Sequence, residues 1–128
     1  MKKLFTLLAL TIGFSMNAQI DDNSANNNSA GTYSVAMGYS TSASGSYSTS
    51  MGKSTTASGT RSTAMGQYTT ASGNWSTAMG LSTTAIGTAS TAMGSGTTAS
   101  GDYSSAMGDN TTASDYASTV IGQFNSSG

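Results

Sequence analysis

The chain has 128 residues, with no cysteine, histidine, proline or glutamate. Charged residues make up 7% of it, against roughly 25% in an ordinary soluble domain. Without Cys or His there is no disulfide framework, no thiolate zinc site, no lipoprotein anchor and no ordinary nucleophile–base pair. The carboxylates are Asp21, Asp22, Asp102, Asp109 and Asp115. They do not recur in one column of the repeat described below, so no acid–base pair or calcium ladder is expected. The expectation is a non-enzyme of one domain with no metal and no cofactor.

Residues 1–18 read as a signal peptide. Lys2 and Lys3 precede an apolar run from Leu4 to Phe14, too short for a membrane span. Ala18 supplies a small residue before a cleavage at Gln19. Cleavage leaves Lys53 and Arg61 against five Asp, a net charge of −3. That balance gives no footprint for nucleic acid and no polybasic patch for a membrane. Residues 19–30 lack apolar periodicity and read as a flexible leader.

From Gly31 to the end, residues 31–128, the sequence repeats every 14 residues. Met37, Met51, Met65, Met79, Met93, Met107 and Ile121 share one phase. Each is followed by a glycine: Gly38, Gly52, Gly66, Gly80, Gly94, Gly108 and Gly122. A weaker seven-residue period places Gly45, Gly59, Gly73, Gly87 and Gly101 halfway between. A period this short excludes helical repeats and points to a solenoid. Segments such as Ser62-Thr63-Ala64-Met65-Gly66 suit strands, with glycine supplying positive-φ turn positions. Each repeat is therefore read as one coil of a parallel β-solenoid with two strands and two turns. Seven coils at the strand spacing make a rod about 30 Å long. The rival reading of these Ser/Thr/Gly tracts is a disordered linker, but linkers keep no such register.

Alternation sends Ala64 and Met65 to opposite faces. With alanine filling the narrow interior, the Met/Ile column becomes an exposed apolar ridge and the chain an oligomer joined along it. The opposite assignment, Met inside and Ala outside, satisfies the same alternation. Two columns vary freely and are expected to face solvent. One contains Tyr33, Tyr47, Arg61, Trp75, Ala89, Tyr103 and Ala117; the other runs from Tyr39 and Lys53 to Gln123. Tyr33, Tyr47, Arg61, Trp75 and Tyr103 are the candidate ligand surface, since these residue types dominate binding hot spots.

The unit S-x-A-M-G-x-x-T-x-A-S-G resembles the head repeat of trimeric autotransporter adhesins, the YadA-like and Hep_Hag class. Ser34-Val35-Ala36-Met37-Gly38 is the closest copy, with Met where that family usually has Ile. The resemblance implies an all-β, left-handed parallel β-roll and a homotrimer with its apolar column on the threefold axis. It also implies a head exposed on the outer surface of a Gram-negative bacterium, or secreted, that binds host matrix proteins or other surfaces. No neck, heptad stalk or barrel anchor follows in the sequence. The chain is therefore expected to be a fragment, a head-only protein, or a protein anchored by a partner. Two other functions fit the repeat. Thr55-Thr56, Thr69-Thr70, Thr83-Thr84, Thr97-Thr98 and Thr111-Thr112 form ladders of the kind an ice-binding solenoid uses. A fibre or spacer segment would need no ligand of its own.

Overall fold

A computed structural model describes residues 27–128. The expected signal peptide, and the expected leader as far as residue 26, lie outside the described residues. From Gly31 onward, seven coils of 14 residues stack in a parallel β-solenoid. Strands are numbered in chain order. Each coil contributes one five-residue strand: β1 (Val35–Tyr39), β3 (Thr49–Lys53), β5 (Thr63–Gln67), β7 (Thr77–Leu81), β9 (Thr91–Ser95), β11 (Ser105–Asp109) and β13 (Thr119–Gln123). Each also contributes a two-residue strand: β2 (Ser42–Ala43), β4 (Thr56–Ala57), β6 (Thr70–Ala71), β8 (Thr84–Ala85), β10 (Thr98–Ala99), β12 (Thr112–Ala113) and β14 (Ser126–Ser127). The long strands form one seven-stranded parallel sheet and the short strands another.

The register follows from the repeat. Every residue pairs with its equivalent 14 positions on, as in Met37↔Met51 and Gly38↔Gly52 on one sheet and Ala57↔Ala71 on the other. The ladder continues round the corners, where Tyr47 N–H donates to Thr32 C=O and Ser54 N–H to Tyr39 C=O, each at 2.8 Å. Backbone groups that a loop would leave to water are thus paired between coils.

The core is narrow and built of small side chains. Ala64, Ala78, Ala92 and Ala106 from the long strands meet Ala57, Ala71, Ala85, Ala99 and Ala113 from the short ones, all at 0% exposure. Two hydroxyl columns complete the interior. Ser48, Ser62, Ser76, Ser90 and Ser104 lie at one corner, and Thr55, Thr69, Thr83, Thr97 and Thr111 precede the short strands. This settles which side chains point inward: alanine fills the coil.

Some interior hydroxyls are satisfied and others are not. Coil two carries Ser50 where its neighbours carry alanine, and Ser50 Oγ lies 2.7 Å from Thr55 Oγ1. Among the described residues, Oγ1 of Thr69, Thr83, Thr97 and Thr111 has no hydrogen-bond partner. The threonine column is capped at Thr41. Asn27 stands one repeat before Thr41, and its Oδ1 accepts from Thr41 N–H at 3.1 Å and from Thr41 Oγ1–H at 2.9 Å. Asn125 stands one repeat after Thr111 and donates to Ile121 C=O at 2.7 Å.

The solenoid therefore begins before Gly31. Asn28 bridges to Ser42 in parallel, and its N–H donates to Thr41 C=O at 2.8 Å. Residues 27–30, expected to be leader, lie on the first coil. Their polar composition hides the register, because at the end of a stack the side chain must satisfy backbone rather than fill a core.

Glycine does a different task from the one expected. Gly38, Gly52, Gly66, Gly80, Gly94, Gly108 and Gly122 do have positive φ, between 117° and 127°, but they sit inside the long strands. A Cβ on Gly66 would collide with the carbonyl oxygen of Gly80 directly above. The corners are made instead by other residues. Tyr33, Tyr47, Arg61, Trp75, Ala89, Tyr103 and Ala117 have φ between 52° and 61°. So do, within a few degrees, Ser40, Ser54, Tyr68, Ser82, Asn110 and Phe124, with Gly96 at 62° completing that column. This left-handed conformation costs a non-glycine residue about 1–2 kcal/mol. It persists because ladder bonds above and below over-determine it.

Candidate functional site

With alanine inside, the odd positions of each long strand face outward. Met37, Met51, Met65, Met79, Met93 and Met107 are half-buried, each covered in part by its equivalents in the neighbouring coils, and Ile121 at the end is 61% exposed. They form one straight ridge along the outer face, flanked by half-buried threonines at Thr49, Thr63, Thr77 and Thr91 on one side. On the other side runs the variable column. Its members Tyr39, Lys53, Leu81 and Gln123 are exposed, and Gln67, Ser95 and Asp109 are half-buried. Gln123 Nε2 donates to Asp109 Oδ2 at 3.2 Å between adjacent coils.

The second outward feature is the corner column. Tyr33 and Tyr47 stack with centroids 5.3 Å apart and planes 22° off parallel. Arg61 continues the stack, its Cζ 5.2 Å from the Tyr47 centroid and 5.9 Å from that of Trp75. Four consecutive coils thus carry a cation–π ladder. Tyr103, two coils beyond Trp75, stands apart from it and meets Tyr116 edge-on at 5.5 Å. The candidate ligand residues are therefore one group of four and a separate fifth. Spacing alone could have shown this grouping, since consecutive equivalents must stack at the strand separation. All five are exposed, Trp75 by 54%.

The Thr-Thr pairs divide as alternation requires. Thr55, Thr69, Thr83, Thr97 and Thr111 are buried, and Thr56, Thr70, Thr84, Thr98 and Thr112 form a single half-buried column. Among the described residues no group of three or more carboxylates or other metal-ligating side chains comes together. No helix there is long and apolar enough to cross a membrane.

No curated protein sequence matches the chain. A family profile described as the YadA head domain repeat, spanning two copies per match, fits residues 29–55, 57–83, 71–97, 85–111 and 99–125. Overlapping matches offset by one coil are what an unbroken stack of equivalent units produces. The first match begins at Ser29, inside the segment that the structure joins to the first coil. The chain therefore belongs to the YadA head-repeat family and has the build of an adhesin-type head module.

Proposed function

We propose that this chain is the head of a surface-exposed trimeric adhesin, with the Met/Ile ridge as the seam along the threefold axis and the corner and variable columns turned towards ligand. The observation that carries the reading is the ridge. A rod whose core is alanine, serine and threonine keeps six methionines and Ile121 in a straight half-exposed line. Complete burial of a Met is worth roughly 1.5–3 kcal/mol, and the alanine core has little to spare against the entropy of ordering the chain. A parallel arrangement about a rotation axis places each coil's Met at one height in all protomers. Family membership supports export to the bacterial surface and contact with host matrix proteins or other surfaces.

Sedimentation of the purified chain tests the assembly. A trimer is expected, and Met65→Asp with Met79→Asp should yield monomers. Trimers that survive both changes with unchanged melting would remove the Met column from the seam. Adhesion is tested separately, by binding of the assembled protein to immobilised extracellular matrix proteins. Saturable binding is expected; its absence across the panel would favour a spacer without a ligand of its own.

A further inference from the structure

The corner column has one open rung. Arg61 shows what a filled rung looks like: a planar cation held between Tyr47 and Trp75, which belong to the coils on either side of it. Trp75 and Tyr103 are likewise two coils apart, about 9.6 Å by the strand spacing. Between them stands Ala89, with a methyl group where Arg61 has a guanidinium. The ring partners of both lie in the coils away from Ala89: Arg61 stacks on Trp75, and Tyr116 meets Tyr103 edge-on. With Arg61 over one face of Trp75, its other face is left on the side of Ala89, the next position in the column.

The flank of this slot carries charge. Beside Arg61, Asn74 Oδ1 accepts the Thr60 N–H at 3.0 Å. Beside Ala89, the equivalent acceptor is a carboxylate: Asp102 Oδ1 accepts the Thr88 N–H at 2.7 Å. The same backbone bond is made in both places, with a neutral amide where the chain supplies the cation and a negative charge where it does not. The basic residues of the described chain, Lys53 and Arg61, belong to coils two and three, well below Asp102 in coil six.

We propose that the slot between Trp75 and Tyr103 binds a guanidinium group, presented by an arginine side chain of a partner polypeptide. A guanidinium is planar, weakly hydrated and able to stack on both rings while its N–H groups reach a carboxylate; an ammonium is compact and strongly hydrated. An anion would be opposed by Asp102. The slot is built within one protomer and does not depend on the trimer seam, although such recognition would deepen the adhesive reading.

Trp75 is the sole tryptophan of the chain and reports on its own site. The full-length protein in its native assembly state is titrated with the peptide Gly-Arg-Gly while Trp75 emission is followed. A saturable change is expected, with Gly-Lys-Gly weaker by about tenfold. Ala89→Arg should abolish the response by filling the rung from within. Arg61 already occupies this column at φ 58°, against 54° for Ala89, so the variant is compatible with the fold. Asp102→Asn should keep the bond to Thr88, as Asn74 does to Thr60, while weakening binding severalfold and flattening its salt dependence. No saturable change, an equal change in Ala89→Arg, or Gly-Phe-Gly binding as tightly as Gly-Arg-Gly would each overturn the proposal. Sedimentation of the same sample reports assembly independently, so failure of the slot and failure of the seam are distinguishable.

Discussion

One substitution should change sign with the coil in which it is made. Thr83 is buried at 0% exposure, and its Oγ1 has no hydrogen-bond partner among the described residues. A buried hydroxyl in that state costs about 1–3 kcal/mol, and replacing it by an apolar group of the same shape removes the cost. Thr83→Val keeps the β-branched shape of the side chain. It should stabilise the fold by about 1 kcal/mol, raising Tm by roughly 4–8 °C for a domain of this size. Thr55 occupies the same column one coil above Thr41, yet its Oγ1 lies 2.7 Å from Ser50 Oγ. Thr55→Val loses that bond and strands the Ser50 hydroxyl, which is itself fully buried. It should destabilise by about 1–3 kcal/mol. The double variant Ser50→Ala/Thr55→Val removes both partners of that bond and should recover most of the loss. The assay is thermal unfolding followed by circular dichroism, with all variants at the same protein concentration. Shifts of the same sign for Thr83→Val and Thr55→Val would refute the reasoning.

Other outcomes follow from the backbone. Gly66→Ala places a Cβ against the Gly80 carbonyl at φ 117°, and should cost more than about 3 kcal/mol, seen as loss of the cooperative β transition near room temperature. Ser82→Gly relieves a left-handed corner at φ 54° and should stabilise by about 0.5–1 kcal/mol after the extra flexibility of the unfolded chain is subtracted, read from the same melts. Asn27→Ala removes the cap on Thr41 and should accelerate hydrogen exchange of the Thr41 amide while leaving that of Thr83 unchanged.

The repeat made most of this fold legible. An unbroken 14-residue phase from Met37 to Ile121 admits few structures other than stacked coils, and alternation at Ala64-Met65 reduced the packing question to two choices. The short period already makes the interior narrow and favours alanine there, and the buried alanine columns decide it. The corners were legible only in part. Tyr33, Arg61 and Trp75 occupy a conformation that normally selects glycine or asparagine, and nothing in their identity announces it. The ladder imposes it from outside, so local propensity was the wrong guide there. Asn27 and Asn28 escaped notice for a related reason, since an end coil looks like a linker in composition while bonding like a strand. The candidate surface was found by its variability, but the open rung at Ala89 shows only when Trp75 and Tyr103 are seen as neighbours with one position missing.

The exact register of the stack also decides what kind of change the molecule can absorb. Every side chain rests on its own equivalent one coil away. Adding or removing 14 residues therefore leaves each surviving coil in an environment it already has, and moves everything beyond it by one strand spacing of about 4.8 Å. A shift of one residue does the reverse, turning methionine into the interior and alanine out along the whole remaining rod. The height at which a surface is presented is thus adjustable in whole steps, while the pattern displayed around the circumference is preserved.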